Sequence, residues 1–469
     1  MPDDLHTPER DVVSHLPFHA TAKDTLWAGL ERALDNRTGI LFITDDAGIL
    51  LGQVTLDAMR AAIQKGAHLH AITLGELAAS TDTVSSLEPV LDPSGRLTGV
   101  VERGDRRGLA IAEPNLSHAE FRNLLDAFLS TWISSGGEYL RSFEERFANR
   151  CGAAYGVATS NGTVSLHLAM ATLGIGEGDE VIVPDLTFAA CANTVMQLGA
   201  RPVLVDIDPV TWCLSPDTVE RAITPRTRAI MPVHLFGRPA PMTEIRALAD
   251  AHGLFLIEDC AEAPGARYDG RPIGAFSDIA SCSFFANKII TTGEGGICVT
   301  NDPDMAQRLR MLRDHGMRPE RRYWFEEAGF NYRMTNLQAS IGCAQLDRMD
   351  ALIGERREIH QRYVAILQNI PGVAFPPAMD TRSEPVIWFS CVTVPSEARL
   401  AIIKACAERR IDLRPFVNSL SSMPAYRRFA RKCPISGHVS RTGLHLPTSR
   451  MPDARLLASM EAAFRSVLA

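Results

Sequence analysis

One lysine in this chain sits where a solvated lysine has no reason to be. Residues 281–296 read SCSFFANKIITTGEGG, which places Lys288 between an aromatic pair and a Thr-Thr-Gly-Glu-Gly-Gly turn. Phe284, Phe285 and Ile289 predict a buried segment. A lysine amine in such a setting can form a covalent bond to a cofactor. Four other segments carry chemistry-bearing residues in separated positions. SNGTVSLHLAM (160–170) is a glycine-containing turn opening a helix, so the backbone N–H groups of Gly162 and Thr163 can face an anion. PDLTFAACANTV (184–195) follows a strand and carries Phe188, a flat ring. LIEDCAEAPGA (256–266) ends a strand on Asp259, where ligands gather in open α/β sheets, with Glu262 three residues on. GFNYRMTNLQASIG (329–342) offers Asn331 and Arg333, and a guanidinium suits carboxylate or phosphate. Arg414 in DLRPF and His234 in MPVHLFG are further candidates, the histidine reading first as a satisfied strand-end residue.

These residues need elements to hold them. A chain of 469 residues is too long for one ordinary core and predicts two or three domains. With 46% apolar and 22% charged residues the composition is globular, and a formal charge of −7 without a basic run argues against nucleic acid as a partner. The N-terminus lacks the apolar stretch of a signal peptide, and no apolar run approaches the roughly 20 residues of a spanning helix. The expectation is a cytoplasmic protein whose ten cysteines, Cys191 and Cys282 among them, are small buried apolar side chains in a reducing compartment. From residue 111 onward, apolar runs at 179–185 (DEVIVPD), in RPVLVDID, in RAIMPVHLF and in LFLIEDC alternate with amphipathic segments. That pattern predicts an α/β domain with a mainly parallel sheet covered on both faces, over 111–350. A long helix (DALIGERREIHQRYVAILQNI) then opens a small α+β domain, 351–469.

The first 110 residues are different. ITDDAGILLGQV (43–54) and VLDPSGRLTGVV (90–101) align at a spacing of 47, matching Asp45 with Asp92, Gly48 with Gly95, Leu50 with Leu97 and Gly52 with Gly99. Each unit reads as a hairpin with an Asp/Gly turn. With helical stretches on either side of the first unit, the region resembles the cystathionine-β-synthase-type (CBS) module, which comes in tandem pairs. Modules of that kind that bind adenine nucleotides often carry Thr/Ser-x-x-Asp after the second strand. Here Thr55 is followed too soon by Asp57, and Asp105 is preceded by Glu102 in place of the hydroxyl. A nucleotide partner and a structural or dimerising role both stand as readings of this module.

Residues 111 to 469 resemble the DegT-type sugar aminotransferases, which use pyridoxal phosphate (PLP) on the aspartate aminotransferase fold (fold type I). The five segments above fall in family order, and SFFANKIITTGEGG, RRYWFEEAGFNYRMTN and RPFVNSLSSMPAY look most like the sugar 4-aminotransferase branch. The resemblance implies PLP as cofactor, Lys288 as its covalent partner and proton carrier, and Asp259 as the carboxylate opposite the pyridine nitrogen. It implies Gly162, Thr163 and Ser283 as phosphate donors, with Asn331 reaching the phosphate from a partner subunit. Phe188 would stack on the ring. Arg333 and Arg414 would meet the substrate or donor carboxylate. Related dehydratases carry His where Lys288 stands, so Lys288 implies transamination. Glu262 departs from the Gln or His of many members, because a carboxylate accepts but does not donate. The implied reaction moves an amino group from L-glutamate to a 4-keto-6-deoxy sugar nucleotide. A UDP-linked or carbon-3 keto sugar, and an inert nucleotide-sensing protein, are the rival readings.

Overall fold

The computed structural model describes residues 12–13, 16–36, 38–79, 87–102, 108–318 and 320–468. Contacts divide the chain into two units: Met1–Gly108 with Asn115–Arg122, and Leu109–Pro114 with Asn123–Ala469.

In the first unit, the sequence repeat is realised as two antiparallel hairpins. Ile40–Thr44 pairs with Leu50–Thr55, and Leu87–Leu91 pairs with Leu97–Glu102. The matched aspartates do the same work in each. Asp45 accepts the amides of Ala47 and Ile49, both at 2.9 Å, and Asp92 accepts those of Ser94 at 2.8 Å and Arg96 at 3.0 Å. Gly48 and Gly95 both take positive φ, 83° and 87°, where a side chain would be strained. The two turns then pair with each other, Leu50 N–H to Gly95 at 3.1 Å and Leu97 N–H to Gly48 at 3.1 Å. Alternation along Ile40–Thr44 sends Leu41 and Ile43 into one apolar cluster and Ile40 and Phe42 into another. Thr55 caps the helix Leu56–Gln64 through the Ala58 amide, so its hydroxyl is occupied locally. Asp105, the other half of the nucleotide-motif comparison, and the Glu102 side chain lie outside the described residues.

The second unit is built on a seven-stranded sheet. In spatial order its strands are Tyr155–Thr159, Gly296–Thr300, Ile279–Ser283, Phe255–Asp259, Thr227–Ile230, Glu180–Pro184 and Arg201–Val205. Only Gly296–Thr300 runs against its neighbours, so the sheet is mainly parallel. Runs such as EVIVP are buried at every residue, which is what a sheet covered on both faces requires. The expected strand RAIMPVHLF stops at Ile230. Pro232 has no amide to donate, and Val233 re-pairs only as an isolated bridge to Asp259.

A second core lies beyond the helix Met349–Leu367. Tyr363, Leu444, Leu446, Ile402 and Phe464 pack there around a three-stranded antiparallel sheet ordered Ser390–Thr393, Gly443–Leu446, Arg414–Pro415. No described helix is long and apolar enough to cross a membrane.

Candidate active site

The lysine segment leaves the strand Ile279–Ser283 and turns at once. Phe284 is buried edge-on against Phe143 and Phe147, at 5.0 and 4.9 Å between ring centres, and pins the turn from below. The Thr291 hydroxyl donates to the Phe284 carbonyl (2.9 Å), and the Thr292 hydroxyl donates to Glu294 (2.6 Å). The two threonines thus lock the loop that the sequence singled out. From the chain beyond residue 350, Arg356 donates to the Lys288 carbonyl at 3.0 Å, and the Trp388 indole N–H donates to Asn287 at 2.9 Å. With its backbone clamped on both sides, the Lys288 amine is left 4.2 Å from the Trp388 ring centre and 3.7 Å from Glu262 Oε1. Its side chain is 12% exposed and that of Glu262 is 10% exposed. The pair is therefore nearly desolvated without a close hydrogen bond.

Asp259 ends its strand as expected and is buried. Oδ1 accepts the Ala261 amide at 3.0 Å, and Oδ2 accepts the Cys191 thiol at 3.1 Å. Glu262 follows on the next turn, where Oε2 accepts the Phe236 amide at 2.9 Å. Phe236 holds a left-handed backbone, φ 57°, a costly state for a bulky residue and one that recurs at functional sites. Burial pushes the Glu262 carboxyl up, with Lys288 and the Phe236 amide pulling the other way. His234 is fully buried below this layer. Its Nδ1 accepts the Ala240 amide at 3.1 Å, which leaves Nε2–H to donate to Glu258 at 3.1 Å. It is a satisfied core histidine.

The anion cradle is a close approach of two segments. Asn161 caps the helix Gly162–Thr172 through the Val164 amide at 3.0 Å. A Cβ on Gly162 would lie 2.6 Å from Ser283 Cβ, so only glycine lets the helix start meet the serine. Thr163 follows in the first turn. Phe188 projects from the loop before Ala190–Gln197 with 62% of its surface exposed, an apolar ring without a cover.

Asn331 and Arg333 belong to a different cluster. Arg333 donates to Asn331 Oδ1 (2.9 Å) and pairs with Asp314 (2.7 Å). The segment runs beside the strand that leads into the cradle, with Arg333 bridged to Thr159 and the Ser160 amide donating to Tyr332 at 2.8 Å. None of the described side-chain contacts joins Asn331 or Arg333 to Lys288, Asp259 or Ser283. Arg414 is exposed and pairs with Asp412 at 3.3 Å, also apart from that group. In the other direction, the structure adds Cys191, Thr187, Trp388, Arg356 and Phe236. Only Thr187 and Cys191 are neighbours in sequence, and they meet at 3.3 Å across the bend that leads into the helix Ala190–Gln197.

Comparison with known proteins agrees with this geometry. The DegT/DnrJ/EryC1/StrS aminotransferase family profile matches residues 114–455. The GDP-perosamine synthase of Caulobacter vibrioides is 45% identical over 344 residues, 72% of this chain and 93% of the relative. That of Escherichia coli O157:H7 is 41% identical over the same shares. A dTDP-3-amino-3,4,6-trideoxy-alpha-D-glucose transaminase of Streptomyces venezuelae is 41% identical over 69% of this chain and 85% of the relative. Among solved structures, 3-amino-5-hydroxybenzoic acid synthase superposes with a TM-score of 0.72 at 31% identity, covering 77% of this chain and 99% of that one. Spr1654 of Streptococcus pneumoniae in its PLP form does so with 0.72 at 26% identity, covering 77% and 98%.

Proposed function

Because the chain belongs to the DegT/DnrJ/EryC1/StrS family and is a PLP-dependent sugar aminotransferase, we propose that it aminates carbon 4 of a 4-keto-6-deoxy sugar nucleotide of the GDP-4-keto-6-deoxymannose kind. L-glutamate is the amino donor in this reading. The product is a 4-amino-4,6-dideoxy sugar nucleotide for surface polysaccharide, made in the cytoplasm. The observation that carries the reading is the 45% identity to a GDP-perosamine synthase across 93% of that protein.

The residues fit PLP. The Gly162–Ser283 approach leaves a glycine-floored helix start beside a hydroxyl, a cradle for a phosphate. The Asp259 carboxylate stands at a strand end as a partner for a pyridinium, and the largely enclosed Lys288 amine has no close hydrogen bond to give up. When bound, PLP supplies an electron sink at the carbon that loses or gains a proton. Lys288 Nζ would hold the cofactor and, once released from it, shuttle that proton, taking it up as general base and returning it as general acid within each half-reaction. Asp259 keeps the ring nitrogen protonated. Gly162, Thr163 and Ser283 bind the phosphate. Phe188, exposed in this chain alone, covers the ring. Glu262 sets the electrostatics beside Lys288, and Trp388 excludes water from the amine.

Asn331 and Arg333 enter the reading as the partner's share of each site in a homodimer. The aromatic residues just before them support this: Tyr323, Trp324 and Phe325 are all exposed, which suits a covered face. Arg414 is assigned to substrate. Residues 1–110 are assigned to a CBS-like regulatory or structural module, 111–350 to the PLP-binding domain and 351–469 to the small domain. The symmetric pairing of the two hairpins supports the first of these, and a nucleotide remains its proposed ligand if it binds one.

A turnover screen tests the substrate. Purified protein with PLP and glutamate is offered GDP-linked 4-keto, UDP-linked 4-keto and 3-keto sugars. Selective amination of the GDP-4-keto sugar is expected. The dTDP-linked relative favours a carbon-3 ketone as second reading, and amination there alone overturns the first. Mixing tests the shared site. Inactive Lys288→Ala and inactive Asn331/Arg333 double-alanine chains, once exchanged, regain activity at about a quarter of sites, since about half the dimers are mixed and each rebuilds one site. No recovery after proven exchange places Asn331 and Arg333 in their own chain.

A further inference from the structure

We infer that Cys191 is a positioning residue for the reaction, its thiol fixing the Asp259 carboxylate against the ring nitrogen of the cofactor. This rests on the assignment of Asp259 made above. By sequence, Cys191 is one of several small apolar core residues. The structure gives it polar work instead. Its sulfur lies 3.1 Å from Asp259 Oδ2 and 3.3 Å from the Thr187 hydroxyl, and Thr187, Cys191 and Asp259 are all buried.

A thiol has one proton. Because that proton goes to the carboxylate, the Thr187 hydroxyl must donate to sulfur, and the three groups form a directed chain from Thr187 to Cys191 to Asp259. Burial and the neighbouring carboxylate both push the Cys191 thiol well above its ordinary value, so it stays protonated and keeps donating. The other carboxylate oxygen is held by the Ala261 amide at 3.0 Å. With one donor on each oxygen, the carboxylate plane cannot rotate freely, and the remaining lone pairs point in fixed directions.

The choice of a thiol matters. S–H is a weak donor. It orients Asp259 without drawing off as much of its charge as a hydroxyl or amide would, and that charge is what keeps a ring nitrogen protonated. Cys191 is carried by Ala190–Gln197, on the same loop-to-helix turn as Phe188. One short segment therefore supplies both the exposed ring and the group that aims the carboxylate.

The test uses full-length protein and four variants: Cys191→Ala, Cys191→Ser, Thr187→Val and Asp259→Asn. Two readouts stand apart from turnover. One is the affinity of apoprotein for PLP. The other is the pH titration of the ring nitrogen in bound PLP labelled with nitrogen-15, followed by NMR. Cys191→Ala is expected to weaken PLP binding about fivefold and to move ring-nitrogen deprotonation to lower pH, on the scale of one modest hydrogen bond. Cys191→Ser restores orientation and brings PLP affinity back toward wild type, while its stronger hydroxyl donor leaves the ring-nitrogen titration at lower pH than in wild type. Thr187→Val shifts them in the same direction as Cys191→Ala and by less, and it carries the test if Cys191→Ala does not fold. A purely structural cysteine predicts lower apoprotein stability with an unchanged nitrogen titration. If Cys191→Ala, or Thr187→Val in its place, matches wild type in both readouts while Asp259→Asn loses the protonated nitrogen, the role of Cys191 is overturned and that of Asp259 stands. If Asp259→Asn also keeps the wild-type titration, the assignment of Asp259 falls, and this inference with it.

Discussion

Glu258 and Glu262 stand four residues apart, both buried, and the protein treats them in opposite ways. Glu258 accepts four hydrogen bonds: His234 at 3.1 Å and the amides of Gly274, Phe276 and Ser277 at 2.8, 3.0 and 3.0 Å. Those four fill the acceptor sites of a carboxylate. Burial alone would raise its pKa, yet His234 and the amides bring it below the ordinary value. Glu262 receives one amide, and its cation stays 3.7 Å away. Burial wins there, and its carboxyl is pushed up. A satisfied buried carboxylate is a finished piece of architecture. An under-satisfied one beside an under-satisfied lysine has bonding capacity left for something else, which suits the cofactor role proposed for Lys288. His234 and Cys260 lie close enough to Glu258 to resemble a metal cluster. The four donors on Glu258 explain that grouping without an ion.

The largest effect expected of this contrast is on chemistry. Lys288→Ala should cut transamination about a thousandfold or more, since under the proposed function it removes both the covalent anchor and the proton carrier. The circular dichroism and unfolding midpoint of the apoprotein should change little. Full turnover in this variant would break the assignment of the reserved pair. Glu258→Ala should do the reverse. It strands His234 and three buried amides, a loss of about 3–5 kcal/mol by analogy with other broken buried networks. Denaturant unfolding of the apoprotein reads this directly. A loss under about 1 kcal/mol would mean that the network is not structural.

The two glutamates also show how far a sequence can be read. Both sit in LIEDCAEAPGA, and the segment announces a strand end with acids. Which acid is architectural is not legible there, because the donors to Glu258 come from 234 and from 274–277. The apolar runs that gave the parallel strands were readable, since burial on both faces leaves a continuous apolar record. Tyr155–Thr159 and Gly296–Thr300 were not, because glycine and threonine dilute their pattern. Lys288, Asp259, Gly162 and Ser283 lie in separated motifs, and folding brings Gly162 to Ser283 and Lys288 to Glu262. Trp388 stands a hundred residues beyond Lys288 in sequence, and nothing local reveals that its ring faces the amine. By its usual behaviour Cys191 reads as a small hydrophobe, and only the fold shows its carboxylate.

Glu262→Gln is the smallest change and the finest test of the comparison. The ordinary carboxyl value is 4.5, and the folded value of Glu262 lies above it. Between the two, the native chain binds a proton that the unfolded chain has released. Stability attributable to this group is therefore fully present below pH 4.5 and is lost as pH rises through the folded value. Glutamine keeps the shape and the neutral charge of the protonated acid at every pH. At pH 8 the variant apoprotein should be slightly more stable than wild type, by roughly 1–3 °C in thermal midpoint for a domain of this size. At pH 4 the difference should vanish. Lys288 opposes the effect by favouring the carboxylate, so the gain should grow when Glu262→Gln is made in a Lys288→Ala background. A double-mutant cycle over both residues at pH 8 isolates that coupling. For Glu258, whose folded value lies below the ordinary one, the sign reverses: its stabilisation is present above the ordinary value and is lost as pH falls, so Glu258→Gln should destabilise most at neutral pH. If both glutamates respond to pH with the same sign, the division between a finished carboxylate and a reserved one is wrong.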